Sequence, residues 1–328
     1  MSRRKICTII FEEREERCWK KLEKLIAEGY ILPEAGSDIP HGDMPGDKIE
    51  IGESHIAKAK VIFPELLKKL QENGREKAVL CVCGGSGVGK SEIASVLGYY
   101  LTSLGIRSYV LSGDNYPRRI PKYNDAERMN TFRRAGIRGM LLEGLYTEEN
   151  GQILRGLQDA ETDSDPKLIA EYPWLSAYIE YGKEALRCYL GTKQEIDFEE
   201  VSGILSSFKA GKEKIFLKRM GRTETELWYT PVDFSDTEVL IVEWTHGNSD
   251  YLQGIDIPIL LNSTPEETLA HRRAHNRDGK TDSAFTTMVL GIEQKKLHEQ
   301  ARKAKIIISK DGSLLDFASY SALMDGQF

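Results

Sequence analysis

Nowhere in the 328 residues does an apolar run approach the ~18–20 residues that span a bilayer. The longest pure runs, such as Val239-Leu240-Ile241-Val242, have the length of buried strands. Cysteine is scarce: Cys7, Cys18, Cys81, Cys83 and Cys188 form an odd, scattered set, which excludes a disulfide framework. Cys81 and Cys83 are too close for the common zinc spacing and sit in a strand pattern, where a free thiol behaves as a small hydrophobe. There is no internal repeat and no low-complexity stretch. Nor is there an excess of positive charge. The 45 Lys and Arg are outnumbered by 51 Asp and Glu, for a net charge of −6, so a nucleic-acid scaffold held by bulk charge is excluded. A local basic pocket for an anionic ligand is not. Met1-Ser2-Arg3-Arg4-Lys5 is basic, but Glu12, Glu13, Glu15 and Glu16 follow, with no apolar core for a signal peptide. These absences describe a cytoplasmic enzyme with no membrane or nucleic-acid partner; whether it forms a homo-oligomer is left open.

What is present is ordinary globular material. Hydrophobic residues make up 40% of the chain, enough for a substantial core, and the 29% charged residues are mixed in sign, which argues against wholesale disorder. At roughly 150 residues per domain the length suggests about two domains, or one large domain with an appendage. The first 77 residues stand apart. They hold a short apolar run (Lys5–Phe11), a charged helix over 12–28 stopped by Gly29, and a Pro-, Gly- and Asp-rich loop from Pro33 to Asp47. A second helix runs from a Ser54 cap toward Asn73-Gly74, with a break or kink expected at Pro64. Residues 1–77 therefore read as an added N-terminal subdomain whose role the sequence does not give.

From Ala78 onward apolar strands alternate with helices. Strands are expected at Ala78–Cys83, Ile106–Ser112, Lys214–Leu217, Glu238–Glu243, Ile257–Leu261 and Lys305–Ser309. Helices are expected over Ser91–Leu104, Asp125–Leu145, Pro166–Leu190 (interrupted before Pro173) and Asp197–Ala210, and one begins at Thr264-Pro265-Glu266-Glu267. Continuously apolar strands alternating with helices imply an α/β fold with a parallel sheet covered on both faces.

One motif carries explicit chemistry. Gly84-Gly85-Ser86-Gly87-Val88-Gly89-Lys90-Ser91 matches G-x-x-x-x-G-K-[ST], with an apolar strand before it and a helix after it. The glycines let main-chain amides curl around a phosphate, and the helix that follows points its positive end there. Lys90 would reach the β- and γ-phosphates and the Ser91 hydroxyl would bind Mg²⁺. Residues 78–328 are thus a P-loop NTPase-type domain, with a helical insert at about 148–193 and a lid at about 271–282.

Three further segments belong with the loop. Asp114 follows the strand Ile106–Ser112, at the end of a parallel sheet where open α/β folds bind ligands. There it either accepts a proton from an attacking hydroxyl, helps hold Mg²⁺, or merely begins a turn with Asn115 and Pro117. Glu243, at the end of a buried apolar strand, has the position of a Walker B acid that binds Mg²⁺ directly or through water. His246, just beyond, is either a hydrogen-bond partner for a substrate hydroxyl or a loop histidine. Arg273 and Arg277, four apart and so on one helix face, would put positive charge on a phosphoryl group in transfer, or form a solvated basic face. A second basic cluster, Arg128, Arg133, Arg134 and Arg138, either holds an anionic substrate or coats a helix. The aromatics Tyr172, Trp174, Tyr178, Tyr181 and Tyr189 of the insert either stack on a sugar or pack as core.

In this order the four pieces resemble the uridine kinase / phosphoribulokinase family of P-loop kinases, over roughly residues 78–310. The similarity rests on Gly84–Ser91, on Asp114 with Tyr116 as an Asp-x-aromatic acceptor motif, on Asp197-Phe198 with Phe208–Lys212, on Val239–Gly247, and on Arg273–Asp278 as an R-x-x-x-R-D lid. The resemblance implies ATP-dependent phosphorylation of a small-molecule hydroxyl, with Asp114 as base and Ser91, Glu243 and Asp114 serving Mg²⁺. Trp244 stands where that family has Gly. The aromatic–His–Arg segment of nucleoside kinases is not evident in Lys218–Arg222, so a sugar-like acceptor is favoured. Gly113–Asn115, Tyr123–Arg128 and Arg133–Gly136 are similar to the substrate segment of adenylylsulfate kinases, which would make Arg133 and Arg134 ligands of an anionic acceptor. A regulatory NTPase that transfers to water, or a nucleotide-binding module with no acceptor, is the rival class.

Overall fold

The computed structural model describes residues 22–35, 39–46, 49–269, 273 and 283–325. The chain forms α1 (Glu53–Asn73), β1 (Ala78–Gly84), α2 (Lys90–Ser103), β2 (Ser108–Ser112) and α3 (Pro121–Leu142). The insert contributes α4 (Glu148–Asp159) and α5 (Leu175–Tyr189), followed by α6 (Phe198–Lys209), β3 (Lys214–Met220) and β4 (Leu227–Asp233). Then come β5 (Val239–Glu243), β6 (Ile257–Leu261), α7 (Ala284–Gln300), β7 (Ile306–Ile308), β8 (Leu314–Leu315) and α8 (Phe317–Met324). No helix among the described residues is long and apolar enough to cross a membrane.

The apolar runs become the centre of the molecule. Every residue of β1, β5, β6 and β7 is buried. They join a six-stranded sheet of order β2-β5-β1-β6-β7-β8, parallel throughout except for the short edge strand β8. Successive side chains on a strand point to opposite faces. Leu80 and Val82 of β1 therefore join one core with Ile241 and Ile259, under α1 and α2, while Val79, Cys81 and Cys83 join the other with Leu240 and Val242. That second face is covered by α6, the inner side of the β3–β4 pair, and α8. A third cluster, Phe132, Met140, Leu154, Leu175 and Tyr178, holds the insert to α3, with Phe285 and Met288 of α7 against it.

Three local expectations are revised. The helix α1 starts two residues earlier than a Ser54 cap would place it, with Gly52 at its N-cap, and it passes through Pro64 without interruption. Proline costs a helix interior about 3 kcal/mol. The apolar stripe of Ile62, Phe63, Leu66 and Leu67 is fully buried, each side chain contributing about 1.5–3 kcal/mol, and outweighs that cost. The strand at Lys214 runs on to Met220 and leaves the main sheet. It pairs antiparallel with Leu227–Asp233, from Lys214↔Asp233 to Met220↔Leu227, in a separate two-stranded sheet. Of the charged helix expected over 12–28, residues 22–28 lie among those described and are helical. The α3–α5 contact settles the insert's aromatics on the packing side at its centre: Tyr178 lies so close to Gly136 that a Cβ there would sit 2.5 Å from its ring.

Candidate active site

The sheet order places β5 between β1 and β2, so the three strand ends that carry the sequence motifs are neighbours. Glu243 is in register with Val82 on one side and Ser112 on the other. The phosphate loop leaves β1 two residues beyond Val82, and Asp114 lies two residues beyond Ser112. A parallel sheet thus converts three distant segments into one crevice.

Within it, the loop is closed on itself. Gly89, the last glycine, has φ of 90°, a left-handed conformation that other residues rarely adopt. Its α-carbon faces His55 of α1, and a Cβ there would lie 2.8 Å from the imidazole Cδ2. His55 in turn accepts a hydrogen bond from the Gly52 N–H on Nδ1 at 3.1 Å. The Lys90 ammonium folds back to donate to the Gly85 carbonyl at 3.0 Å. Ser91 Oγ donates to Glu243 Oε2 at 3.0 Å. Burial first, and the Asp114 charge second, push the Glu243 carboxyl up to about 8, against the pull of the Ser112 and Ser91 hydrogen bonds and the Lys90 charge. Asp114 itself is exposed, in a one-turn 3₁₀ segment, Gly113–Asn115. The structure therefore brings Lys90, Ser91, Asp114 and Glu243 around the loop formed by Gly84, Gly85, Ser86, Gly87, Val88 and Gly89.

The turn that presents Asp114 is fixed from two sides. Trp244, fully buried, lies across Gly113 so closely that a Cβ there would fall 2.0 Å from its Cγ. The tryptophan that stands where the resembling family has glycine is accommodated here because the facing turn carries a glycine. From the other side, Asp43 reaches in from the loop before α1. Its Oδ1 accepts from the Ser112 N–H at 2.7 Å and from Asn115 Nδ2 at 3.3 Å. Its Oδ2 accepts from Tyr109 Oη at 3.0 Å and pairs with Arg219 at 2.8 Å. Burial raises the Asp43 carboxyl even so, with Arg219 and the hydrogen bonds opposing it. Nothing in the Pro33–Asp47 sequence marks Asp43, because its partners lie far along the chain, on β2, the Asp114 turn and β3.

The other predicted residues divide. His246 is half-buried, edge-on to Trp244 with centroids 5.6 Å apart. Burial first, then Arg128, Lys90 and Lys296, push its imidazole down to about 4 against the attraction of Glu195, so it is neutral at pH 7. Tyr116 is fully buried in the core beside the turn, and burial raises its phenol. Arg133 is committed to Asp163, with Nε and Nη2 at 3.0 Å from the two carboxylate oxygens, and it also donates to the Gln158 carbonyl at 2.8 Å. Arg134 and Arg138 are exposed on α3, and Arg273 is exposed. Of the lid expected at about 271–282, Arg273 alone is among the described residues, and Arg277 lies outside them.

Besides Asp43, sequence reasoning missed two further acids. Glu195, fully buried, takes Arg128 Nε at 2.6 Å and Asn124 Nδ2 at 3.1 Å on Oε1, and the Gly191 N–H at 2.6 Å on Oε2. Glu293 of α7 lies 3.8 Å from Arg128 Nη2. Burial raises its carboxyl, Glu195 and Asp114 add to that, and Arg128 and Lys90 oppose it. A signal for Arg128 was present in the basic cluster; its partners Glu195 and Glu293 had none.

A mostly parallel sheet with a glycine-rich phosphate loop leaving an inner strand, and acids at the ends of the neighbouring strands, is the arrangement of a P-loop nucleotide-binding fold. No family model matches the chain. It is 34% identical over 288 residues to the bifunctional alpha-galactosidase/sucrose kinase AgaSK of Mediterraneibacter gnavus, a match covering 88% of this chain and 26% of that protein. It is 39% identical over 84 residues to adenylyl-sulfate kinase of Buchnera aphidicola subsp. Acyrthosiphon pisum, covering 24% of this chain and 41% of that one. The chain thus spans about a quarter and about two fifths of these curated relatives. Among solved structures, D-glycerate 3-kinase from Cryptococcus neoformans var. grubii superposes with a TM-score of 0.42 at 12% identity, over 81% of this chain and 98% of that one.

Proposed function

We propose that this protein transfers the γ-phosphoryl group of ATP to a hydroxyl of a sugar-like small molecule. The observation that carries the reading is the Ser91–Glu243 hydrogen bond at 3.0 Å beside the loop lysine, with Asp114 near enough to act electrostatically on the same buried carboxyl. The 34% identity to a protein with sucrose kinase activity supports the sugar.

The main-chain N–H groups of Gly85–Lys90 and the N-terminus of α2 would grip the β-phosphate. Lys90 would exchange its Gly85 carbonyl for the β- and γ-phosphate oxygens, a charge-assisted contact stronger than the neutral one it leaves. Asp114, exposed at the mouth of the crevice, would orient the acceptor hydroxyl and take its proton. Arg273 and Arg277 of the lid would add positive charge to the equatorial oxygens. Such sites work mainly by positioning and electrostatic stabilisation.

The residues present also fit Mg²⁺. Two acids face one hydroxyl and one lysine, and the raised Glu243 carboxyl is one that a divalent cation would draw into its charged form. Among the described residues there is no group of three or more His, Cys, Asp and Glu side chains able to cage a metal alone. Mg²⁺ typically takes only one or two carboxylates, with phosphates and water completing its shell. Ser91, Glu243 and Asp114 would hold it, and its charge would offset that of the phosphates. The long segment before the kinase domain, including His55 and Asp43, would back the loop and the Asp114 turn.

The test is ADP formation against a panel of acceptors: sucrose, monosaccharides, nucleosides and adenylylsulfate, with mass spectrometry of the product. ADP release that rises with a neutral sugar, and a product heavier by one phosphoryl group, are expected. ATP loss indifferent to every acceptor would overturn the assignment in favour of an NTPase.

A further inference from the structure

Arg128 brings α3, the insert and α7 to one point. Its guanidinium is held by Glu195 at 2.6 Å and lies 3.8 Å from Glu293. Asn124 and the Gly191 N–H complete the shell of Glu195. His246 stands at the same place: a Cβ on Gly191 would lie 3.0 Å from its Nδ1. Glu293 is common to two small pockets. One is lined by Gly85 and Ser86 of the phosphate loop with Ser263, Pro265 and Thr268, and the other by Gly191, His246, Ser249 and Lys296. Glu293 thus stands between the phosphate loop and the His246 pocket, within reach of a small molecule held beside that loop.

Arg128 offers no surplus positive charge, because three carboxylates face it before any ligand arrives. Arg128 faces Glu195, Glu293 and Asp125, and His246 is neutral. An anionic acceptor would have to draw Arg128 away from a fully buried carboxylate, and breaking a buried pair from one side is strongly unfavourable. The other basic residue of the α3 segment best placed for an anion, Arg133, is occupied by Asp163. A neutral polyol meets no such obstacle. Its hydroxyls donate to carboxylate oxygens and accept from guanidinium, imidazole and amide N–H, so it can use this set without separating any ion pair.

We infer that Glu293, with Arg128 and His246, forms a hydroxyl-binding subsite that selects an uncharged polyhydroxy acceptor over an anionic one. The inference rests on the kinase reading for the purpose of the subsite, but its claim is about binding and is tested by binding.

The experiment is calorimetric titration of the full chain, loaded with a non-hydrolysable ATP analogue and Mg²⁺, with sucrose, with monosaccharides and with adenylylsulfate. The wild-type protein is expected to bind at least one neutral sugar at least ~10-fold more tightly than adenylylsulfate. Glu293→Gln replaces the carboxyl with an amide of the same shape and takes away one of its two acceptor oxygens, and is expected to weaken that sugar ~10-fold or more. It should change affinity for the ATP analogue by no more than about a third as much, and Glu293→Asp should recover part of the loss. Tighter binding of adenylylsulfate than of any sugar, no sugar binding at all, or unchanged sugar affinity in Glu293→Gln would each overturn the inference. Sugar binding without phosphoryl transfer would remove the kinase reading and leave the subsite standing.

Discussion

Glu243 shows how one side chain links the fold to its chemistry. Its carboxyl is buried between β1 and β2 and is raised to about 8, above its ordinary 4.5. An acid raised by folding contributes stability at low pH and loses it as pH climbs through the folded value. The ligand-free protein is therefore expected to lose melting temperature between about pH 5 and about pH 9. Glu243→Gln, neutral throughout, should melt higher than wild type at the alkaline end and differ least at the acid end, while the proposed Mg²⁺-dependent phosphoryl transfer is lost. Thermal unfolding across that range checks it, and a variant less stable at every pH would contradict burial as the origin of the shift. At this scale the phosphate loop is fully legible in the sequence, since its geometry is written in consecutive residues. Asp114 and Glu243 are legible as acids at strand exits. Glu195, Glu293 and Asp43 are not, because a buried acid is defined by partners the sequence does not place beside it.

Among the elements, the loop before α1 has a role that its turn-rich composition conceals. Asp43 joins it to Ser112, Asn115, Tyr109 and Arg219, so that one carboxylate ties β2, the Asp114 turn and β3 together. Asp43→Ala leaves Arg219 buried without its carboxylate, at an expected cost of about 3–5 kcal/mol, and loosens the turn that carries Asp114. The double variant Asp43→Ala with Arg219→Met should recover part of that stability but not the lost turnover. Denaturant unfolding alongside kinetics checks both, and a single-variant cost below about 1 kcal/mol would place the pair among weak surface bridges. The sequence marks the strand at Lys214 but not its departure from the sheet. Apolar character reports burial; it does not report which neighbour a strand takes, and here seven residues of β4 supply the pairing. Pro64 misleads in a similar way, since local propensity is outweighed by four fully buried side chains around it.

Across the whole molecule, the parallel sheet is legible because strands buried on both faces leave unbroken apolar runs. Strand order is not, and it is the order that matters: only with β5 between β1 and β2 do the phosphate loop, Glu243 and Asp114 meet. The N-terminal segment, which composition sets apart, shares a core with the sheet, since Ile62, Phe63 and Leu66 cluster with Leu80 and Val82. Its helix also brings His55 against the last glycine of the loop. The central claim, that this crevice passes a phosphoryl group to a hydroxyl oriented by Asp114, is tested most directly by Asp114→Asn. With the best acceptor of the panel, kcat should fall ~10²–10⁴-fold while the affinity for an ATP analogue is retained. Turnover within a few-fold of wild type would contradict it.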